Sequence, residues 1–467
     1  MIKKTKIVAT IGPASWDREI LKGMLDNGMN IARINASFAD HAELKRVSKA
    51  LREFSNTVAI MMDTKGHKIR ISDFGKEKKL KIGQKISVFT EKTAGELYLV
   101  TETSVGLEQQ IPKEAIILID DGLIELKVED KKGKQLVCKV LQGGLLKKSK
   151  SVNIPGVHIE FGELSKKDFE DIMYAREAGF DFVAASFIRN INDLRAVKKL
   201  LIGSNTKVIA KIEDMEGVSN FDDILAEADG IMIARGDLGV EIPAEKVPLI
   251  QKKFIEKCNL IGKPVIVATQ MLQSMTDNIS PTRAEVNDVA NAIFDGTDAV
   301  MLSAETSTGK YPVEAVTTMS KISLEVEKSI DPIVRDVSPL AKPTTNAIAK
   351  AVKDSCDTLP IDKILVATAT GTTAITIARF RPKQPIIAFT NDIFSKRKLA
   401  LSRGIIPDIL EESSSTRDVG IQSLVRNALN KGYVSESDLI LVVAGANIMG
   451  QSETNMLEIN RVEQIIS

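Results

Sequence analysis

Cysteine is scarce in this chain of 467 residues, which contains only Cys138, Cys258 and Cys356. Because the three are odd in number and widely spaced, they predict neither a disulfide framework nor a zinc cluster. A chain of this length can bury several hydrophobic cores without such crosslinks. We therefore expect a protein that folds in a reducing compartment.

Long apolar runs are also missing. The longest, such as residues 58–62 and 439–444, have the length of a strand, whereas a membrane helix needs roughly 20 apolar residues. The charged start of the chain is not followed by an apolar run of signal-peptide length. These absences predict a soluble, cytoplasmic protein without a membrane partner.

An excess of charge of one sign is absent as well, since 63 basic residues stand against 62 acidic residues and the net charge is +1. Nucleic-acid-binding domains usually carry a strongly basic patch or stripe. The balance therefore predicts no nucleic-acid partner, although it leaves room for a local basic pocket.

What the chain does contain is a repeated alternation of apolar runs and amphipathic stretches. The apolar runs lie at residues 6–11, 29–35, 57–62, 180–187, 207–213, 230–237, 264–270 and 298–303. Ile20, Leu21, Met24 and Leu25 illustrate an amphipathic stretch, because they share one helical face before Gly28. Apolar strands that alternate with helices indicate a parallel sheet covered by helices. Eight such units favour a (β/α)₈ barrel.

Two regions depart from this alternation. Between about residues 71 and 152 the pattern changes to alternating strands with charged turns, which predicts an inserted all-β domain. Its candidate strands are residues 80–82, 86–88, 116–119 and 136–140, with a charged turn at 131–134. After about residue 340, strands at 362–367, 385–390 and 439–444 predict a C-terminal open α/β domain. We thus expect a barrel over 1–70 and 153–340, an insertion over 71–152 and a third domain over 341–467.

Polar residues crowd the ends of six predicted barrel strands, which is where barrel enzymes place their active sites. Lys211 and Glu213 are two residues apart, so they share one face of a strand. Asp237 ends the next strand, and two carboxylates with substrate oxygens suit Mg²⁺. Arg33 and Arg70 would join Lys211 as a cationic clamp for phosphoryl oxygens. A single charged pair of this kind is typical of an ordinary protein surface. Burying charges at six neighbouring strand ends, however, costs several kcal/mol unless partners compensate for the burial.

Longer motifs then identify a family. They occupy residues 5–13 (TKIVATIGP), 211–213 (KIE), 234–241 (ARGDLGVE), 263–272 (KPVIVATQML), 281–285 (PTRAE) and 288–292 (DVANA). In this order, over essentially the whole chain, the sequence resembles the pyruvate kinases. The resemblance implies phosphoryl transfer from phosphoenolpyruvate to ADP, giving pyruvate and ATP as the last step of glycolysis.

The resemblance also implies a role for each matching residue. The catalytic residues would be Lys211, Thr269, Arg33 and Arg70. The substrate-binding residues would be Arg33, Lys211, Ser186, Ala234, Arg235, Gly236, Asp237 and Thr269. The nucleotide-binding residues would be Arg70, Asn35, Asp121 and Lys150, the last two on an inserted domain that acts as a lid. Glu213 and Asp237 would hold Mg²⁺ or Mn²⁺, and backbone N–H groups near Gly236 would receive the substrate carboxylate.

One departure concerns the monovalent cation. Family members usually bind K⁺ through positions that match Asn35, Ser37, Asp63 and Thr64, all of which are intact. The K⁺-dependent members carry Pro-Glu where this chain has His67-Lys68. The ammonium of Lys68 therefore predicts an enzyme that works without K⁺.

Other features concern ligands. Phe38 stands where the family usually has a His near the nucleotide phosphates, which leaves the nucleotide preference open. In the last domain, a sugar-phosphate effector pocket of the family matches Thr368, Thr370, Gly371, Thr372 and Thr373. The partner loop at 445–452 lacks Arg and Lys, so we expect a sugar monophosphate or AMP rather than a bisphosphate. Ordinary helix capping is the alternative interpretation of these threonines. The family resemblance also implies a homotetramer.

Two other functions stay open at this point. The departures at Phe38, His67, Lys68 and Ala304 would suit a catalytically weak relative that binds metabolites as a regulator. An aldolase or mutase that uses phosphoenolpyruvate on a barrel is the other alternative. It is disfavoured by the inserted domain, because such enzymes need no nucleotide lid.

Overall fold

The computed structural model of the chain describes residues 2–93, 96–101, 106–162, 164–330, 343–410, 417–445 and 453–466. The strands fall into four consecutive groups. The first group is β1 (Lys6–Ile11), β2 (Ile31–Asn35) and β3 (Ala59–Asp63). The second is β4 (Ile69–Ile71), β5 (Lys78–Lys79), β6 (Lys85–Phe89), β7 (Leu99–Val100), β8 (Ile116–Ile119), β9 (Ile124–Lys132), β10 (Gln135–Gln142), β11 (Leu145–Leu146) and β12 (Ser151–Asn153). The third is β13 (Phe182–Ala185), β14 (Lys207–Ile212), β15 (Gly230–Ala234), β16 (Val265–Ala268) and β17 (Ala299–Leu302). The last is β18 (Lys363–Ala367), β19 (Ile386–Thr390), β20 (Ile405–Ile409), β21 (Leu439–Gly445) and β22 (Thr454–Arg461).

Helices cover or connect these strands. In chain order they are α1 (Arg18–Asp26), α2 (His41–Phe54), α3 (Leu107–Gln110), α4 (Lys166–Glu177), α5 (Ile191–Leu200), α6 (Met215–Ser219), α7 (Phe221–Glu227), α8 (Arg235–Glu241), α9 (Val247–Ile261), α10 (Arg283–Asp295), α11 (Ala304–Ser307), α12 (Pro312–Lys328), α13 (Pro343–Thr358), α14 (Thr372–Arg379), α15 (Ile393–Leu399), α16 (Arg417–Asn430) and α17 (Val462–Ile466). Short 3₁₀ helices add single turns at Pro13–Ser15, Ala244–Lys246 and Gln273–Thr276.

The first and third groups of strands close into a barrel. Its spatial order is β1, β2, β3, β13, β14, β15, β16 and β17, and every neighbouring pair is parallel. Both faces of each strand are covered, which explains why these strands read as continuous apolar runs. The predicted barrel is confirmed. Five of its strands, β13 to β17, end earlier than predicted, because the polar residues at their ends belong to the loops that build the site.

The helix boundaries follow from local chemistry. Asp17 caps α1 by accepting hydrogen bonds from the backbone N–H groups of Glu19 and Ile20. Thr282 and Glu285 form a capping box at the start of α10, and Gly296 ends that helix with a φ of 96°. The helices pack their apolar faces on the outside of the barrel around a core that includes Leu21.

The insertion between β3 and β13 contains a seven-stranded sheet with the order β6-β10-β9-β8-β12-β4-β7, together with the pair β11-β5. The chain leaves the barrel along β4 and returns along β12. These two strands are antiparallel partners, with Ile69 opposite Val152 and Arg70 opposite Ser151. The connection between the insertion and the barrel is therefore a pair of adjacent strands.

The strand predictions within the insertion were partly wrong. Residues 80–82 form no strand, since β5 ends at Lys79 and Leu80 donates its backbone N–H to Gly144. Strand β9 was missed, although Ile124, Leu126 and Val128 alternate with more exposed residues as a half-buried strand should. Its last two lysines had been assigned to the charged turn.

The C-terminal sheet has the order β20-β19-β18-β21-β22, parallel except for the antiparallel pair β21 and β22. The two edge strands β20 and β22 were missed from the sequence. Pro407 and Asp408 interrupt the apolar pattern of β20, and such residues are tolerated only at an edge. Strand β22 is polar on its partly exposed face.

The C-terminal domain contacts the barrel at the end where the strands begin. Ala400 and Leu401 are buried together with barrel residues that face the lumen, and we call this group of residues the lumen cluster. Its barrel members include Val8, Ile31, Met61, Ile209, Met232, Ile266 and Met301. Two hydrogen bonds flank this contact, from Lys6 Nζ to Ile405 O and from Gly404 N to Lys4 O. Leu401 thus packs beneath the barrel, opposite the strand ends that carry the polar residues.

A helix with both the length and the apolar character needed to cross a bilayer is not found in the described part of the chain.

Candidate active site

The strand ends meet around a cavity of about 710 Å³ at the carboxyl end of the barrel. The predicted site residues that line it are Arg33, Asn35, Ser37, Asp63, Thr64, Arg70, Ser186, Lys211, Glu213, Ala234, Asp237 and Thr269. Of the other predicted residues, Asp121, Lys150, Arg235 and Gly236 line an adjoining cavity of about 850 Å³. Both cavities share Lys68, Arg70 and Asp237, so they form one cleft between the barrel and the insertion.

Lys211 lies on the floor of the first cavity with its ammonium group surrounded by oxygen. Its Nζ is 2.9 Å from Asp63 Oδ1, 3.1 Å from Glu213 Oε1 and 2.7 Å from Ser186 Oγ. Burial alone would lower the pKa of Lys211, but the carboxylates of Asp63 and Glu213 raise it above the usual lysine range. Lys211 therefore keeps its positive charge although its own side chain is almost fully buried.

Asp63 connects Lys211 to a second cation. Its Oδ2 accepts a hydrogen bond of 2.8 Å from Arg33 Nε, and Arg33 also donates to Thr10 Oγ1. Burial opposes ionisation of Asp63, but Arg33 and Lys211 outweigh that effect and lower its pKa. The sequence assigned Asp63 only to a cation site. Its role in holding both cations was missed, and the one signal was its position at the end of β3.

Glu213 and Asp237 are the candidate ligands for a divalent cation. Burial raises the pKa of Glu213, Lys211 lowers it, and the nearby charge of Asp237 raises it further. Glu213 Oε2 also accepts the backbone N–H of Phe187 at 2.7 Å. The two neighbouring carboxylates of Glu213 and Asp237, beside a large cavity, fit Mg²⁺ or Mn²⁺ with water and substrate oxygens as the other ligands. The described ranges contain no cluster of three or more His, Cys, Asp or Glu residues suited to a metal, so this site would offer a cation two protein carboxylates.

Lys68 lies beside the candidate metal ligands. Its Nζ is 2.9 Å from Asp237 Oδ1 and 5.1 Å from the centre of the Phe187 ring. Both charged side chains are about one-third exposed, so the pair borders the cleft that water can enter. The ammonium predicted from the sequence thus lies within the site and not on the outer surface.

Thr269 is held in a strained conformation. It and the following Gln270 have φ values of 67° and 55°, which cost a residue other than glycine about 1–3 kcal/mol. Thr269 Oγ1 accepts the Gly236 N–H at 2.8 Å, and Arg235 Nη2 donates to the Thr269 carbonyl at 2.6 Å. The Gly236 N–H, expected from the sequence to be open to a substrate carboxylate, is therefore engaged. Arg235 also pairs with Asp288 on the wall of the adjoining cavity.

The insertion contributes polar residues to the far side of the cleft. Lys150 pairs with Asp120 at 2.9 Å, whereas Asp121 accepts a hydrogen bond from Ser151 Oγ. The sequence prediction paired Lys150 functionally with Asp121, and the structure brings in Asp120 as its direct partner. Arg70 donates to the Ser149 carbonyl in the same region.

The residues assigned to a monovalent cation surround Asp63 in the same cavity. Asn35 Oδ1 accepts the N–H of Ser37 at 3.1 Å, and Thr64 Oγ1 accepts the N–H of Ser186 at 3.0 Å. By accepting these hydrogen bonds, the two side-chain oxygens order the loops that follow β2 and β3.

The predicted effector residues lie in the C-terminal domain, between β18 and α14. Thr368 Oγ1 accepts the Gly371 N–H at 3.0 Å, and Gly371 has a φ of 86°. Thr370 and Thr372 are hydrogen-bonded to each other, while Thr373 is bonded to Thr454. The predicted partner loop at 445–452 lies outside the described residues except for Gly445.

Two family models match the chain. The model described as pyruvate kinase, barrel domain, matches residues 2–316, and the model described as pyruvate kinase, alpha/beta domain, matches residues 346–460.

Individual relatives agree with these models over the full length. The pyruvate kinase of Clostridium acetobutylicum is 43% identical over 474 residues, covering 99% of this chain and 100% of that protein. The pyruvate kinase of Geobacillus stearothermophilus is 42% identical over 480 residues, covering 100% of this chain and 82% of that protein. A crystal structure of a pyruvate kinase from Cryptosporidium parvum has a TM-score of 0.90 at 36% identity, covering 98% of this chain and 96% of that one. With its barrel, its inserted sheet and its charged strand ends, the chain belongs to the pyruvate kinase family of phosphotransferases.

Proposed function

We propose that this protein transfers the phosphoryl group of phosphoenolpyruvate to ADP with the help of Mg²⁺ or Mn²⁺, giving pyruvate and ATP. The observation that carries the proposal is the arrangement of Lys211, Arg33 and Asp63 on the floor of the cavity. Two cations are held side by side by one buried carboxylate. They face a space large enough for substrates, and phosphoryl transfer depends mainly on such positioned charge.

Each cation has a task in this proposal. Arg33 would bind phosphoryl oxygens with its guanidinium, and Arg70 would reach them from the edge of the insertion. Lys211 would stabilise the negative charge on the transferred group and on the enolate oxygen that is left behind. Asp63 touches neither substrate but fixes the positions of Arg33 and Lys211.

The divalent cation would be held by Glu213 and Asp237. When bound, it supplies charge stabilisation to phosphoryl oxygens. Phe187 holds Glu213 in place through its backbone N–H.

Thr269 would direct the proton that converts the enolate into pyruvate. Its hydroxyl donates to the Ala268 carbonyl and accepts from Gly236, so its Oγ1 is oriented on the cavity wall. The strained backbone keeps it there. Because the one hydroxyl proton of Thr269 is donated to the Ala268 carbonyl, Thr269 would position the group that delivers the proton, such as a water molecule exchanging with solvent, and would not supply the proton itself.

We also propose that the enzyme works without K⁺. The ammonium of Lys68, 2.9 Å from Asp237, supplies a fixed positive charge at the rim of the site. The oxygens of Asn35 and Thr64 are already used by backbone N–H groups. A fixed ammonium would make a diffusible monovalent cation unnecessary.

The insertion would serve as a lid over the nucleotide, with Asp121 and Lys150 facing the ADP phosphates. Closure of such a lid excludes water that would otherwise compete as the phosphoryl acceptor. In the C-terminal domain, the threonines around Gly371 would bind the phosphate of a sugar monophosphate or of AMP, since hydroxyl and N–H groups at a helix start suit an anion. A homotetramer in the cytoplasm completes the proposal.

The test is pyruvate formation from phosphoenolpyruvate and ADP with Mg²⁺ in buffer free of Na⁺ and K⁺, repeated after addition of K⁺ and after chelation of Mg²⁺. We expect full activity without K⁺ and none after chelation. Strong stimulation by K⁺ would support the proposed kinase activity but refute the proposed role of Lys68. If no pyruvate forms under any of these conditions while phosphoenolpyruvate still binds, the protein is the metabolite-binding regulator instead.

A further inference from the structure

Asp168 is a buried carboxylate that the proposed reaction does not use. It lies in the first turn of α4, is only 1% exposed and lines neither cavity of the cleft. Burying a carboxylate is costly unless hydrogen-bond donors surround it. The donors around Asp168 therefore show which parts of the chain it holds in place.

These donors come from two distant parts of the chain. Asp168 Oδ1 accepts the backbone N–H groups of Lys65 at 2.9 Å and of Gly66 at 3.3 Å, in the loop after β3. Its Oδ2 accepts the hydroxyl of Ser165 at 2.8 Å, and Ser165 Oγ accepts the Asp168 N–H at the start of α4. In a capping box the acidic side chain turns back to the N–H of the capping residue. Here one carboxylate oxygen is directed at another loop instead.

The two parts of the chain are the two ends of the insertion. Lys65 and Gly66 lie just before β4, along which the chain leaves the barrel. Ser165 follows the segment after β12, by which the chain returns to the barrel. Asp168 therefore joins the exit and the return of the chain at the base of the insertion.

The loop that Asp168 holds is tightly packed against the barrel on its other side. Gly66 has a φ of 68°, and a Cβ at this position would lie 2.7 Å from Ser186 Cβ and 2.9 Å from the Phe187 ring. The path of the chain from β3 to β4 is thus set by the loop after β13 on one side and by Asp168 on the other.

Two cations at the rim of the site depend on this path. Lys68 comes two residues after the loop and pairs with Asp237, and Arg70, in β4, lines both cavities. The cations on the cavity floor are held by Asp63 instead. A shift of the loop should therefore move the cations at the rim and leave those on the floor in place.

We propose that Asp168 is a positioning residue for phosphoryl transfer, which fixes the base of the insertion and so places Lys68 and Arg70 beside the site. The inference rests on the proposed function. In that function ADP is bound by residues of the insertion, whereas phosphoenolpyruvate lies on the cavity floor. Loss of Asp168 should therefore impair the use of ADP more than the use of phosphoenolpyruvate.

Steady-state kinetics of two variants test this. Asp168→Ala removes the acceptor of both N–H groups, and hydrogen bonds to a charged group are worth roughly tenfold or more. KM for ADP should rise about tenfold, while KM for phosphoenolpyruvate should change less than twofold. Asp168→Asn keeps an oxygen for the N–H groups and can donate from its amide to Ser165 Oγ, so it should restore the wild-type KM for ADP. A purely structural defect would lower kcat, through fewer folded molecules, and leave both KM values unchanged.

Asp171→Ala is the matched control. Asp171 lies on the same helix and is equally buried, but it pairs with His41 and Lys167 and not with the loop. An equal rise of KM for ADP in this control, or no rise in Asp168→Ala, would overturn the proposal. If Asp168→Ala does not fold, Ser165→Ala, which removes the hydroxyl that orients the carboxylate, should raise KM for ADP about threefold. An unchanged KM in that variant would overturn the proposal as well.

Hydrogen exchange separates this proposal from the proposed function. In the full-length protein without substrates, the amides of Lys65 and Gly66 should exchange at least tenfold faster in Asp168→Ala than in the wild type. Mass spectrometry of the peptide that contains both amides measures the rates, and equal rates would refute the role of Asp168 while the kinase stands. If the wild-type protein forms no pyruvate, the proposed function fails, and the exchange rates still decide whether Asp168 fixes the loop.

Discussion

At the scale of single residues, Asp63 is the most consequential side chain of the site. It is almost completely buried, and it binds Arg33 through one carboxylate oxygen and Lys211 through the other. Lys211 also pairs with Glu213, and Arg33 also donates to Thr10, but Asp63 is the partner that the two cations share. The relative positions of the two positive charges therefore depend on one shared carboxylate.

Replacing Asp63 by Asn should lower kcat about 100-fold or more, because misplaced charge no longer stabilises the transferred group. It should also lower the free energy of unfolding by about 3 kcal/mol, since two buried cations lose their shared partner. Steady-state kinetics and urea unfolding measure the two effects. Asp277→Asn, in an exposed ion pair with Lys310, should change neither; a similar loss there would argue against the special role of Asp63.

The charge of Lys68 beside Asp237 can be reversed by a single substitution. Lys68→Glu should convert the protein into a K⁺-dependent enzyme, because a carboxylate beside Asp237 would need a cation to balance it. Activity of the variant should be low in K⁺-free buffer and rise at least tenfold with saturating K⁺, since balancing one charge in a partly buried site is worth about 1.4 kcal/mol or more. Lys148→Glu, in an exposed pair with Asp73, serves as the control for adding a carboxylate. A K⁺ response equal to that of the wild type would contradict the prediction.

The sequence indicated which residues gather at the site but not how they bind one another. Charged residues at the strand ends could be predicted, because the barrel places all carboxyl ends on one side. The contacts of Asp63 could not, since β14 is far from β2 and β3 in the chain and the relative heights of the three strands depend on register. The strained backbone of Thr269 likewise depends on Arg235 and Gly236 from a different loop.

At the scale of elements, α10 shows how a helix start supports the site. Thr282 and Glu285 cap the helix, and Glu285 also accepts the backbone N–H of Ser274 in the loop after β16 at 2.7 Å. Hydrogen bonds from Ser274 and Thr282 outweigh the effect of burial and lower the pKa of Glu285. The cap therefore joins α10 to the loop that follows Thr269.

Thr282→Ala should lower the free energy of unfolding by about 1 kcal/mol, which is the usual cost of losing such a cap. The melting temperature and a urea midpoint measure it. Thr282→Ser keeps the hydroxyl and should behave like the wild type. A loss of the same size in the serine variant would mean that the methyl group, and not the cap, matters.

The prediction of elements succeeded where the apolar pattern was strong. All eight barrel strands were found because they are buried on both faces and therefore read as continuous runs. Strands β9, β20 and β22 were missed because charged residues, a proline or a polar face interrupt the pattern. At such strands the pairing with a neighbour, which the sequence does not display, determines the conformation.

At the scale of the whole molecule, the contact between the barrel and the C-terminal domain contains buried lysines. Lys6 is almost fully buried, and its Nζ donates to the Ile405 carbonyl. Burial lowers the pKa of Lys6 to about 8, although Glu327 and Asp298 act in the opposite direction. The domain contact is therefore sensitive to pH.

The sign of this effect follows from proton counting. Between pH 8 and 10.5 the unfolded chain holds a proton on Lys6 that the folded protein has released, so stability rises with pH. From pH 7.5 to 9, the wild type should gain about 1 kcal/mol of unfolding free energy relative to Lys6→Met. Urea unfolding at both pH values measures the difference. For Lys22→Met, at an exposed lysine of α1, the difference in unfolding free energy from the wild type should be the same at both pH values. If the difference for Lys6→Met is also the same at both pH values, the prediction is wrong.

The two smaller domains are attached to the barrel in opposite ways, and this decides which of them can be removed. The insertion leaves and returns along paired neighbouring strands, so a short hairpin could replace it and the barrel would still close. The C-terminal domain covers the lumen cluster with Leu401, and a barrel without it would expose apolar side chains to water. A minimal version of this protein could therefore dispense with the domain nearest the chemistry but not with the one farthest from it.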